Sequence, residues 1–258
     1  MIRGFYTAAS GMMLQRRHMD VITNNIANVE TTGFRRQQLV SHSFDDVLIR
    51  RINDPDVVAS RRTSIMSAPA VGPLRLGTQV DQIFTNFEEG RLEASELSTD
   101  MAIVGDAWFV VETPAGERFT RTGTFHLDEL GYLIDFGGNF LQGENGRILV
   151  GSLGFTVDTL GTIRVGEEVI DTIRRVSFED NNALRQQGHN LFFSLEAPQA
   201  VSNDNQIIQG FLESSNVDIG REMVDMLSVF RIYETNQRIL TMIDESVGLA
   251  VNEIGRLR

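Results

Sequence analysis

The strongest constraint on this chain is a pair of long heptad seams, one near each end. Near the start, Phe5, Ala8, Met12, Gln15, Met19, Ile22, Ile26 and Val29 are spaced 3,4,3,4,3,4,3. Between them lie Arg16, Arg17, Asp20, Asn24 and Asn25, which form a polar opposite face. This spacing predicts a helix with a narrow apolar stripe. About 25 residues at about 1.5 Å rise make it roughly 37 Å long. Thr31, Thr32 and Gly33 end it, because glycine takes a positive φ without steric cost.

The other end repeats the pattern at greater length. Ile219, Met223, Met226, Phe230, Tyr233, Gln237, Leu240, Asp244, Val247, Val251 and Ile254 alternate spacings of four and three. No proline follows Pro198, so nothing interrupts a helix of roughly 38 residues, or about 57 Å. Ser215, Asn216 and Asp218 offer capping oxygens just before it. Seams of more than three heptads at both ends favour a coiled-coil pairing over two surface helices.

The middle of the chain has a different period. Residues 83–210 hold strand-sized apolar pieces separated by turn residues. Two runs flank Gly105-Asp106, and Phe119–Leu127 alternates with period two. Gly131–Ile134 and Phe140–Gln142 follow, then Phe155–Val157, Thr162–Val165 and Ile173–Phe178. No helix-length periodic segment separates them, which argues against βαβ units and for an all-β domain. Residues 35–82 are rich in Arg and Pro and poor in periodicity. They read as an extended arm with one hairpin, in which Phe44–Ile52 forms a short helix or a strand. The expected fold class is therefore α+β. Residues 1–34 and 211–258 form the paired terminal helices, 35–82 the arm and 83–210 the β domain.

Composition excludes several functions. The 258 residues carry 23 basic and 35 acidic side chains, a net charge of −12. Such a chain is repelled by a phosphate backbone unless it keeps a basic face. Only the pairs Arg16/Arg17, Arg35/Arg36, Arg50/Arg51 and Arg61/Arg62 hint at one, and they read as solvated or subunit-contact residues. With no Cys there is no thiolate site, and with no Lys no P-loop or Schiff-base lysine. No apolar run reaches the ~18 residues of a membrane span. The first residues lack the continuous apolar stretch of a cleaved signal peptide, so the expectation is a cytoplasmic protein or one exported without such a signal. His18, His42, His126 and His189 show no ligand spacing, and Ser41-His42-Ser43 lacks a positioned acid. Glu88, Glu89, Glu93 and Glu96 read as a solvated acidic loop. No catalytic, metal or cofactor site is expected, and no small-molecule substrate.

The motifs themselves are distinctive. Tyr6-Thr-Ala-Ala-Ser-Gly11-Met12 precedes Met19-Asp-Val-Ile22-Thr-Asn24-Asn25-Ile-Ala27-Asn28, which runs on to Thr32-Gly33-Phe34. Near the other end stand Gly210-Phe-Leu-Glu-Ser-Ser-Asn216-Val-Asp218, Glu222-Met223-Val-Asp-Met226 and Arg231-x-Tyr233-Glu-x-Asn-Gln237. Together with Asp100–Gly105, Trp108-Phe109 and Phe119–Phe125, these segments resemble the bacterial flagellar rod and hook family. The likeness covers nearly the whole chain in order. The length fits the family's rod subunits, distal or proximal, better than its longer hook subunit.

The resemblance implies a structural subunit of the flagellar basal-body rod, with no catalytic activity and no cofactor. It would be exported through the flagellar export apparatus and would polymerise helically with itself and with other rod and hook subunits. The motif and seam positions implied to carry assembly are Met12, Met19, Ile22, Asn24, Asn25, Ala27, Asn28, Gly33, Phe34, Asn216, Met223, Met226, Phe230, Tyr233, Gln237 and Leu240. Polar seam members such as Gln15, Gln237 and Asp244 would set register. Limited proteolysis should leave a core near 83–210. Without the resemblance, a soluble coiled-coil adaptor with a β recognition module remains open.

Overall fold

A computed structural model describes residues 2–50, 70–151, 154–188, 190–194, 196–199 and 205–254. The pairs Arg50/Arg51 and Arg61/Arg62 lie wholly or partly outside the described residues, as does His189. The fold is α+β. Helix α1 (Ile2–Ala27) and helix α2 (Ile219–Ile254) flank a β-rich centre. The chain divides into two compact units. One comprises residues 24–38 and 84–222, the other residues 1–23, 39–83 and 223–258.

The first unit is organised by the strand Trp108–Thr113, which is buried on both faces. Its period-two alternation separates two cores. Phe109 and Val111 join Met101, Ile103, Phe125 and Leu133 on one side. Trp108 and Val110 join Phe119, Val176, Phe178 and Phe192 on the other. Trp108 and Phe192 meet edge to face at 5.0 Å, and Phe109 and Phe125 do so at 5.3 Å. Trp108–Thr113 pairs antiparallel with Gly116–Thr120 along one edge. Along the other it pairs with Phe140–Gly143 and Arg175–Val176. A three-stranded sheet (Phe155–Val157, Thr162–Val165, Glu168–Thr172) adds Phe155 and Ile163 to the first core.

The period-two segment Phe119–Leu127 is not one strand. Gly116–Thr120 and His126–Leu127 are strands, while Arg121–Phe125 runs between them without ladder pairing. At its centre the segment lies against Met101, whose N–H donates to the Gly123 carbonyl at 3.0 Å. Gly123 passes so close to Met101 that a Cβ there would sit 1.6 Å from the Met101 carbonyl oxygen. The alternation survives as burial, with Phe119, Arg121, Gly123 and Phe125 all inside.

The second unit holds most of both helices and a β ribbon. Strand β1 (Gln37–Ser43) pairs with β4 (Thr78–Thr85), and β2 (Val47–Arg50) pairs with β3 (Ala70–Leu74). Two nested antiparallel pairings thus replace the single hairpin expected there, and Val47–Arg50 is strand rather than helix. Gly77, at φ +141°, lies against α1, where Thr78 N–H donates to Ser10 Oγ at 3.4 Å. The helices approach each other at two glycines. A Cβ on Gly4 would lie 3.3 Å from Ile243 Cδ1, and one on Gly11 would lie 3.0 Å from Asn236 Nδ2. Four and eleven rise while 243 and 236 fall by the same seven, so the helices run antiparallel there.

Candidate assembly interface

The N-terminal motif folds back on itself at the end of α1. Asn28 Nδ2 donates to the Asn24 carbonyl at 2.8 Å, and Thr31 Oγ1 donates to Asn28 Oδ1 at 3.2 Å. Gly33 then takes φ +65°, as its place after the helix predicts. A Cβ there would sit 2.6 Å from the Arg121 and Thr122 backbone, so the position is closed to other residues both by φ and by space. Gly33 N–H donates to the Glu213 carbonyl at 2.8 Å.

Beyond that bend the two family motifs lock together through buried polar groups. Asn25 holds the Gln37 backbone from both sides: its Nδ2 donates to the Gln37 carbonyl at 2.8 Å, and its Oδ1 accepts from Gln37 N–H at 2.9 Å. The same Nδ2 donates to Glu222 Oε2 at 3.2 Å, and Arg36 Nε donates to Glu222 Oε1 at 2.6 Å. Asn216 Oδ1 accepts from Arg36 N–H at 2.7 Å, and its Nδ2 donates to the carbonyls of Asn86 and Glu88 at 3.0 and 2.9 Å. Glu222 has no exposed surface. A buried carboxylate with these donors is satisfied; with either missing it would be costly.

A second knot lies beside it. Arg35 Nη2 is 2.7 Å from Glu213 Oε1, and Arg121 Nη1 is 3.6 Å from Glu213 Oε2. Gly90 N–H donates to Glu213 Oε1 at 2.8 Å, and Arg35 Nη1 donates to the Glu88 carbonyl. The Arg121 guanidinium stands over the Trp108 ring at 5.2 Å. Burial lowers the Arg121 pKa to about 10, with Glu213 opposing the shift and Arg35 adding to it. Burial also lowers Arg35, again against Glu213. The Arg35/Arg36 pair is therefore an internal structural element of this unit rather than a solvated or subunit-contact pair.

The motif and seam positions divide by environment. Asn25, Ile22, Gly33 and Phe34 are buried. Met12, Met19, Asn28, Asn216, Met226, Tyr233 and Leu240 are half-buried, and Asn24 and Ala27 are exposed. On α2 the covered stripe contains Glu222, Met226, Val229, Tyr233, Asn236, Leu240 and Ile243, spaced 4,3,4,3,4,3. Met223, Phe230, Gln237 and Asp244 lie one residue off that stripe and are exposed. Sequence reasoning assigned no role to Arg121, Glu213, Glu222 or Asn236. The available signal was a charge on the inward parity of an alternating segment, as at Arg121 between Phe119 and Phe125. Among the described residues no three His, Asp or Glu side chains converge on a metal-sized site.

Three family models match successive parts of the chain. "Flagella basal body rod protein" covers residues 5–35 and "Flagellar hook protein FlgE/F/G D1 domain" covers 102–171. "Flagellar basal body rod FlgEFG protein C-terminal" covers 208–252. The flagellar basal-body rod protein FlgG of Borreliella burgdorferi is 30% identical over 269 residues, spanning 98% of each chain. The chain belongs to the flagellar basal-body rod family. A further relative, the flagellar hook-basal body complex protein FlhO of Bacillus subtilis, is 29% identical over 276 residues and aligns over all of both chains. The family consists of structural proteins of the flagellum, not enzymes. Its first and last matched segments contain Asn25, Arg35 and Asn216, Glu222, the residues that meet in the buried knots.

Proposed function

We propose that this rod-family chain is a subunit of the flagellar basal-body rod that polymerises helically through α1 and α2 to build the axial drive shaft. The observation carrying this reading is an apolar stripe on α2 outside the stripe turned towards α1. Met223, Leu227 and Phe230, spaced four and three apart, are 51%, 60% and 47% exposed. Three large apolar side chains in line on one helix need a cover. A second copy whose contact does not close on itself extends into a filament.

In this reading α1 and α2 pair as an antiparallel coiled coil, with Gly4 and Gly11 facing Ile243 and Asn236. Isolated helices gain little without packing, so burial between subunits supplies much of their stability. The partners are further copies, other rod and hook subunits and the flagellar export apparatus, and the location is the basal body outside the cytoplasm. Phe230→Glu combined with Leu227→Glu should leave the β domain folded, as read by Trp108 fluorescence, while abolishing polymerisation and motility in a strain lacking the wild-type chain. Normal rods from the double variant would overturn the proposal, and a discrete closed oligomer of the wild-type chain would point to an adaptor instead.

A further inference from the structure

We propose that Glu222 is the positioning residue that nucleates α2, so that the C-terminal helix grows from a fixed root before any neighbouring subunit arrives. The inference rests on the polymerisation reading above and adds how its helix becomes ordered. Starting a helix is the unfavourable step, because several residues must be fixed before the first hydrogen bond forms. In this chain the first turn of α2 is already fixed. Asp218 Oδ1 accepts from Gly220 N–H and Arg221 N–H at 2.9 and 3.2 Å, and the Asp218 carbonyl accepts from Glu222 N–H at 3.0 Å. The Glu222 side chain is tied by Asn25 and Arg36, two residues of the opposite end of the sequence. A carboxylate in the first turn also complements the positive end of the helix dipole.

Capping and the Asn25–Glu222–Arg36 clamp together hold about one turn in helical geometry. Every following residue then adds by propagation, which is close to neutral by itself and favourable once a partner helix covers it. The root lies within the unit formed by residues 24–38 and 84–222, which has its own two apolar cores. The ordered part of the free chain therefore includes 24–38 and extends to Glu222, beyond the 83–210 core that the sequence suggests.

The test compares full-length wild type, Glu222→Ala and Glu222→Gln by residue-resolved hydrogen exchange and by polymerisation followed with light scattering. In Glu222→Ala, amides of Glu222–Met226 should exchange at least about tenfold faster, because both buried hydrogen bonds to the carboxylate are lost. Amides of Trp108–Val111 should be unchanged. Polymer elongation should slow severalfold, because every incoming subunit must order its own α2 without the root. Glu222→Gln keeps one acceptor oxygen, enough for Arg36 or Asn25 but not for both, and should recover only part of the protection and of the elongation rate. Equal acceleration of exchange in the Trp108 strand would show general destabilisation and overturn the inference, as would equal protection in all three proteins. A wild-type chain that never polymerises, with the exchange result as expected, would leave the root in place and remove the filament reading.

Discussion

Arg35 and Glu213 face each other at 2.7 Å with only 1% and 2% of their side chains exposed. They come from the two terminal motifs and meet inside one compact unit. Arg121 supplies a second cation at 3.6 Å from the same carboxylate. Replacing Glu213 by Gln keeps the volume and removes the charge, leaving two buried guanidiniums without the carboxylate they share. A loss of about 3–5 kcal/mol is expected, the cost of breaking a buried pair from one side. Urea unfolding read by the fluorescence of Trp108, the single Trp of the chain, measures it.

The same knot has a pH signature on the alkaline side. Arg121 titrates near pH 10 in the folded chain, well below the ordinary guanidinium range, chiefly because it is buried. Its folded pKa is lower than its unfolded one, so above about pH 10 the unfolded chain holds the extra proton. Arg121's own contribution to stability therefore rises with pH from about 10 up to the ordinary value. Carbon NMR of the Arg121 Cζ should show the folded-state titration near pH 10. A shift that stays flat until the ordinary range would contradict this.

Glu112 and Arg147 form an exposed two-pronged pair, with Arg147 Nε and Nη2 at 2.8 and 3.1 Å from the carboxylate. The hydrogen bond from Arg147 holds the Glu112 carboxyl below its usual range. A depressed carboxyl contributes stability above its unfolded pKa and loses it as pH falls through the folded value. In Arg147→Gln the Glu112 titration, followed by NMR, should move up toward the ordinary value. Because the pair is exposed, the midpoint of unfolding at neutral pH should change little.

Two glycines with similar φ separate strain from space. Gly33 and Gly138 have φ of +65° and +77°, but only Gly33 has backbone within 3 Å of where a Cβ would stand. Gly138→Ala should cost about 1 kcal/mol, the penalty of a left-handed conformation. Gly33→Ala should cost distinctly more, because the Arg121–Thr122 backbone must move. Parallel urea denaturation of the two variants decides it; equal losses would contradict the steric argument.

At Gly11 the obstacle is the tip of a side chain, the Asn236 amide, rather than backbone. Gly11→Ala should be neutral or stabilising, because Ala gains up to about 1 kcal/mol in a helix interior and the amide can yield. Gly11→Leu should separate the helices and lower far-UV helical dichroism. A Leu variant with unchanged dichroism and thermal midpoint would show that Gly11 does not need to be small.

The buried stripe of α2 shows where periodicity stops being informative. The heptad pattern marks Met226, Tyr233 and Leu240, which are half-buried, but also Met223 and Phe230, which are exposed. Glu222, Val229, Asn236 and Ile243 belong to the covered stripe instead. A helix with two apolar stripes satisfies two seams at once, and local spacing does not say which one its own chain covers. Segment Phe119–Phe125 shows the converse: its alternation marks Phe119, Arg121, Gly123 and Phe125 as one buried face, although Thr120 is buried too, but it does not reveal that the segment leaves the ladder to lie against Met101, a contact between distant segments.

Sequence alone determined what depends on neighbours a few residues apart. That includes both terminal helices, the bend at Gly33, a cap among Ser215, Asn216 and Asp218, about half of the strands and the motifs shared with the rod and hook family. Tertiary structure decided which strands pair, which helix face is covered, and that Arg35, Arg121 and Glu213, like Asn25, Arg36 and Glu222, meet in buried knots. The division has a physical cause. Backbone propensity and hydrophobic period are local and leave a repeating trace, whereas a buried ion pair between the two ends of a chain leaves none. A charged residue reads as solvent-facing until the fold brings its partner to it.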